Sequence, residues 1–252
     1  MTSTGRLASG LGDESLKWFD SHECSQLNEL KMDLSGLNML AGWHGAGDII
    51  MVEQMPMMGG YAGGPEETAI CDVAATMATF ALFNGDIHLD GPIHIRWGTT
   101  TTRETLKVSG HVATALDYNT DLLLGSQYYT MAGPCTEMCL LETAAQALVD
   151  TASGRELLSG VASAKGTIQD MVSPMEARIM GEASMAICGM DVSDINRIVD
   201  SIVSRYENNY NNLPVGKIFQ ECYDVDELVP TDEYLNVYDD ALLTLSECGI
   251  DF

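Results

Sequence analysis

The chain has 252 residues, 46% of them hydrophobic, with 24 glycines and 7 prolines, which suits one large globular domain with a sizeable core. Its 12 basic residues stand against 37 acidic ones, a formal charge of −25 that argues against binding a nucleic-acid backbone and favours solubility at high salt. No apolar run approaches the roughly 20 residues of a membrane span, the start MTSTGRLASG has no signal-peptide core, and seven scattered cysteines make no disulfide framework, so a cytoplasmic chain with reduced thiols is expected.

In chain order, residues 1–19 are rich in Gly, Ser and Thr without a clear period and read as a strand or loop. DIIMVEQ (48–54) is a short apolar run of strand type, and GGYAGG (59–64) is a turn or a place for close backbone approach. PEETAICDVAATMATFALF (65–83) opens with Pro and acids, as a helix N-terminus prefers, and carries apolar residues at helical spacing. IHIRWG (93–98) reads as a strand, TRETLKVSGHVATAL (102–116) as a helix, and DLLLGSQYY (121–129) and LLSGVAS (157–163) as two further strands. Four or five such units predict an α/β fold with a parallel sheet, either doubly wound or closed as a (β/α)₈ barrel. From about residue 174 the pattern turns helical. SPMEARIMGEASMAICGM is followed by a helix whose Ile195, Ile198, Ile202 and Tyr206 share one face, with Ser193 as its cap, and a final helix starts near Thr231 or Asp232. The expected division is residues 1–173 for the sheet-bearing part and 174–252 for a mainly helical region packed on it.

Polar residues at the C-terminal ends of predicted strands are the candidates for chemistry, because barrel and open-sheet sites gather there: Glu53, then Arg96 and Trp97, then Gln127, Tyr128 and Tyr129. A carboxylate in such a place serves as general acid or base, an amide orients a small ligand, and a phenol donates to a developing charge. The GGYAGG turn matches neither the dinucleotide fingerprint nor the P-loop, and Glu66 and Glu67 behind it would oppose a phosphate. A metal site is a competing reading, since Cys135 and Cys139 fall four apart with Glu142 a turn further, and His22, His88 or His94 would have to join them.

Long segments carry a resemblance: DSHECSQLNELKMDL, GDIIMVEQMP, GGYAGGPEET, HLDGPIHIRWGTTTTRETL, GSQYYTMAGPCTEMCLLE, DTASGRELLSGVASAKG, MEARIMGE, GKIFQECYDV and PTDEYLNVYD. Together they resemble the archaeal monomethylamine:corrinoid methyltransferase family from about Asp20 to the last helix. The resemblance implies a (β/α)₈ TIM barrel in a homo-oligomer, present here as a partial barrel followed by C-terminal helices. It implies transfer of the methyl group of monomethylamine to the Co(I) corrinoid (cobamide) of a small partner protein, in methanogenesis from methylamines. The family's electrophile is a pyrrolysine, expected in a segment upstream of this chain. The family's site glutamate falls on Glu53, implied to protonate the amine nitrogen, and its glutamine and second tyrosine fall on Gln127 and Tyr129, implied to orient the reacting group. No metal site is expected in the chain itself. The alternatives are a non-catalytic fragment that docks to intact subunits or to the corrinoid protein, and a metal-dependent methyltransferase using Cys135 and Cys139.

Overall fold

A computed structural model describes residues 19–26 and 31–252; all but the last residue of the 1–19 segment lies outside these. The chain runs β1 (Ser21–Ser25), α1 (Leu34–Ala46), β2 (Ile49–Gln54), β3 (Met57–Met58), α2 (Pro65–Ala81), β4 (Ile87–Asp90) and β5 (Ile93–His94). It continues with α3 (Arg103–Asn119), β6 (Leu124–Tyr129), α4 (Glu137–Ala152) and β7 (Leu157–Ala162). The C-terminal part holds α5 (Pro174–Ala186), α6 (Val192–Tyr206), a short α7 (Phe219–Cys222), β8 (Tyr223–Asp224), β9 (Val229–Pro230) and α8 (Asp232–Glu247).

Five parallel strands form the main sheet in the order β1-β2-β4-β6-β7, with Ser25 beside Glu53, Glu53 beside Leu89 and Asp90 beside Ser126. Each longer strand is added next to its predecessor and the order never reverses, so the sheet has no topological switch point and is the wall of a barrel. Its curvature is visible in one hydrogen bond: Gln127 Nε2 on β6 donates to Glu23 Oε1 on β1 at 2.8 Å. Two strands lie between them, and in a flat sheet three spacings of about 4.8 Å would hold their backbones roughly 14 Å apart. The sheet is therefore a curled half-barrel with Glu23 and Gln127 on its concave face.

The period of two sorts the side chains. Glu23, Ser25, Glu53, Gln127 and Tyr129 point to the concave face, while His22, Cys24, Ile50, Val52, His88, Asp90, Ser126 and Tyr128, all buried, point to the helices. On that outer face Trp43 of α1 stacks on His22 with ring centroids 4.9 Å apart, and His22 Nε2 meets Asp48 at 3.1 Å. The largest apolar core gathers α4, α5, α6 and α8 around Leu140, Ala144, Leu148, Ile179, Ile202 and Leu245. The stripe Ile195, Ile198, Ile202 and Tyr206 is buried there, each full burial of such a side chain contributing about 1.5–3 kcal/mol. The cap of α6 is Asp191, accepting from Ser193 N, rather than Ser193 itself; Thr231 caps α8. No described helix is long and apolar enough to cross a membrane.

Three strand assignments differ from the sequence reading. SHECS and IHLD are strands that the apolar pattern does not announce, and IHIRWG is not a strand along its length: only Ile93–His94 pairs, with β3, and residues 95–98 form a turn. Arg96 and Trp97 therefore sit on a loop at the rim and not at the end of a wall strand.

Candidate active site

Glu53 stands at the C-terminal end of β2 with 9% of its surface exposed. Ser25 Oγ, the neighbour in register on β1, donates to its Oε2 at 2.5 Å. Burial raises the Glu53 carboxyl to about 7, the Ser25 hydrogen bond opposes the rise, and the charge of Glu23 adds to it. Glu23, two residues up β1, is more exposed and is held by the Gln127 amide across the curl. Tyr129 is half-buried, and burial together with the charges of Glu53 and Glu23 holds its hydroxyl above the usual phenol value. The three predicted residues Glu53, Gln127 and Tyr129 thus share one concave surface, joined by Glu23 and Ser25. Sequence reasoning missed both, because the strand that carries them has only His22 and Cys24 on its buried face. Tyr128 is excluded from the site: it faces α4, fully buried, where burial and the nearby Asp150 raise its hydroxyl well above normal.

Four consecutive threonines, Thr99 to Thr102, are buried beside Tyr129, and the first two bond to its backbone. Thr99 Oγ1 donates to the Tyr129 carbonyl, Thr100 N donates to the same oxygen at 3.1 Å, and Thr100 Oγ1 accepts from Tyr129 N at 3.0 Å. Thr100 Oγ1 also donates to Gln146 Oε1 at 2.5 Å, and Gln146 Nε2 returns to Ser126 Oγ at 2.8 Å and to the Gln127 carbonyl at 3.0 Å. Thr101 donates to Glu142 at 2.5 Å, and Thr102 caps α3 through Thr105 N. Glu142 is fully buried and accepts as well from Met131 N at 2.9 Å and Ala132 N at 3.0 Å, which fixes the loop that follows β6. The other side of the Tyr129 ring meets Gly166, at φ 63°, where an added Cβ would lie 3.0 Å from the ring carbon Cε1. Backbone pairing and the two threonine hydroxyls fix the course of the Tyr129 backbone, and Gly166 bounds one edge of its ring.

A second polar cluster supports the wall from behind. Arg155, fully buried, binds Asp90 with Nη1 at 2.7 Å and Nη2 at 2.9 Å, Asp150 with Nε at 3.0 Å, the Gly125 carbonyl at 2.9 Å and Ser109 Oγ at 2.9 Å. It ties β4, β6, α3 and α4 into one block. Burial pushes Asp90 up to about 6 and Asp72 on α2 well above the carboxylate range, with Arg155 opposing both. His88, bonded to Thr79 at 2.8 Å through Nδ1, is lowered to about 3 by burial and stays neutral.

The residues of the competing metal reading are scattered. Cys135 lies before α4, at φ 60°, and so is not on a helical face with Cys139. Cys139 Sγ sits 3.4 Å from Thr130 Oγ1 and 3.5 Å from Ser163 Oγ, Glu142 is engaged as above, and His22, His88 and His94 belong to three other places. Among the described residues no group of three His, Cys, Asp or Glu side chains is arranged to hold a metal ion.

The curled wall, and a polar set gathered at the C-terminal ends of its strands, define part of a (β/α)₈ barrel of the kind that carries its working residues at the mouth. Residues 1–250 match the family described as Monomethylamine methyltransferase MtmB. The chain belongs to that family. It is 57% identical to monomethylamine methyltransferase MtmB1 of Methanosarcina acetivorans and 55% identical to MtmB of Methanosarcina mazei, over 92% of the chain and 51% of each relative. It superposes on the crystal structure of the Methanosarcina barkeri monomethylamine methyltransferase with a TM-score of 0.96 and 52% identity, covering 100% of this chain and 55% of that one. A structure described as a hydroxylamine complex of MtmB matches equally, at a TM-score of 0.96. The chain thus spans about half the length of the curated relatives it matches.

Proposed function

We propose that this chain is part of a cytoplasmic archaeal enzyme that moves the methyl group of monomethylamine to the Co(I) corrinoid of a small partner protein, as a homo-oligomer, in methanogenesis from methylamines. Within it residues 1–173 are the C-terminal part of the barrel and 174–252 a helical region packed upon it. The observation that carries the reading is the Glu53 carboxyl: buried, aimed into the concave face, and held at about 7, so that near neutrality it retains a proton to give. The electrophile that would bind the amine is a pyrrolysine imine, supplied by a segment of the full-length enzyme upstream of this chain.

The chain's own residues divide the remaining work. Glu53 supplies a proton to the amine nitrogen, which makes that nitrogen a better leaving group, and Ser25 fixes the direction of the carboxyl. Gln127, locked to Glu23, and Tyr129, locked by the threonines, define the walls that orient the methyl group. Orientation matters because transfer to cobalt is an in-line displacement, in which a misplacement of about 1 Å costs about 100-fold in rate. An acid, an amide and a phenol around an open concavity fit a small cationic or imine nitrogen, which asks for acceptors and a proton source rather than for metal ligands.

The test is Glu53→Gln in the full-length enzyme, assayed by methylation of the corrinoid partner with monomethylamine. A loss of about 100-fold or more in kcat is expected, the range of one general acid. An unchanged rate removes Glu53 from the chemistry.

A further inference from the structure

On a chain of net charge −25, six of the ten Lys and Arg residues described are ion-paired: Arg103, Arg155, Arg178, Arg197, Arg205 and Lys217. Of the other four, Lys31 and Lys107 lie away from the mouth, before α1 and on α3, while Arg96 and Lys165, also without an ion pair among the described residues, stand at the barrel mouth on the two turns beside Tyr129. Arg96 is exposed on the turn that leads into Thr99. Its guanidinium lies 4.4 Å from the centroid of the Trp97 ring, and Trp97 in turn packs on Tyr210 with centroids 5.3 Å apart. The turn is closed by Gly98 N to the His94 carbonyl at 2.7 Å and by His94 N to the Thr99 carbonyl at 3.0 Å.

Lys165 belongs to the turn after β7. Its backbone takes φ 62°, a conformation that costs a non-glycine residue on the order of 1 kcal/mol and is paid for by its neighbours. Lys165 N donates to the Thr130 carbonyl at 2.7 Å and Ala164 N to the Ala132 carbonyl at 3.0 Å, so the loop after β6 imposes the conformation. The Lys165 side chain runs past Gly98, whose added Cβ would lie 3.4 Å from Lys165 Cδ. The two turns therefore touch, and they bring two basic residues to the same part of the rim of an otherwise acidic protein; the charge of Lys165 also reaches the buried Glu142 carboxylate, with no ion pair between them. Charge of this kind at a rim steers and orients a partner more than it adds affinity.

We propose that Arg96 and Lys165 form a docking contact for an acidic surface of the protein that presents the methyl-accepting cobalt to the barrel mouth. This rests on the proposed function, since it presumes a protein partner approaching that mouth. The contact fixes the register of the partner, and the acidic remainder of the surface repels it from other orientations.

The experiment compares the full-length enzyme with its Arg96→Gln/Lys165→Gln double variant. The KM for the corrinoid partner is expected to rise about tenfold with kcat at saturating partner unchanged, and its dependence on salt to flatten. Binding of the partner stripped of its corrinoid should weaken by the same factor. A KM and salt dependence equal to those of the parent enzyme overturn the docking contact, and so does weakening confined to the loaded partner, which would assign the cations to the phosphodiester of the cobamide. Absence of methyl transfer by the parent enzyme itself overturns the function on which the contact rests.

Discussion

Replacing Arg155 by Met tests the support behind the site. The guanidinium is fully buried and is the partner of Asp90 and Asp150 at 2.7–3.0 Å, while Asp72 feels its charge. Methionine keeps most of the volume and deletes the charge and every donor. Removing one member of a buried ion pair costs about 3–5 kcal/mol, because the remaining charges stay desolvated without a partner. At roughly 2 °C per kcal/mol for a chain this large, that is a fall in Tm of about 6–10 °C near pH 8. The deficit should depend on pH in a definite direction. Asp90 has an ordinary value of 3.8 and is held at about 6 in the fold, so across that interval the folded state keeps a proton that the unfolded state has lost. Its stabilising contribution is complete below about 4 and is lost as the pH rises through about 6. Without Arg155 the carboxyls retain protons to still higher pH, so the penalty should be smallest near pH 5 and largest near pH 8. Thermal unfolding of parent and variant across that range is the measurement. A deficit under about 1 kcal/mol at pH 8, or one of equal size at both ends, would show that the cluster does not hold the wall as described.

Two further outcomes follow from the geometry. The proton on Glu53 is present below its value of about 7, so methyl transfer at saturating amine and partner should decline as the pH rises through 7, and the decline should vanish in Glu53→Gln; a flat profile in the parent enzyme argues against the proton donor. Gly216, at φ 78°, crosses Gly133 so closely that an added Cβ would lie 2.4 Å from the Gly133 carbonyl carbon. Gly216→Ala should therefore destabilise by about 1–3 kcal/mol and loosen the loop after β6, read by faster amide exchange at Ala132 and Cys135, whereas unchanged exchange would show the crossing to be yielding.

How much of this was legible in the residues depended on how each strand is covered. DIIMVEQ and DLLLGSQYY were visible because the wall of the barrel gives them apolar neighbours, and their last polar residues, Glu53, Gln127 and Tyr129, stood out against that background. SHECS was invisible for the opposite reason: its concave residues Ser21, Glu23 and Ser25 are polar because they line the barrel interior, leaving only His22 and Cys24 to signal burial. IHLD was lost because both of its helix-facing residues, His88 and Asp90, are polar, and their burial depends on partners outside the strand, Thr79 and Arg155. IHIRWG passed as a strand through β-branched and aromatic residues that in the fold serve a rim turn, with Trp97 under Arg96.

The residues alone therefore determined the alternation of strand and helix, the helical C-terminal part and the family, since local periodicity and long matched segments need no contacts to be read. Only the tertiary structure decided that the sheet curls, that Glu23 reaches Gln127 across two strands, and that Thr99 and Thr100 hold the Tyr129 backbone. Those relations join residues 29 to 104 positions apart, and the energy that selects them, burial of charge balanced by specific partners, exists only once the wall has closed around them.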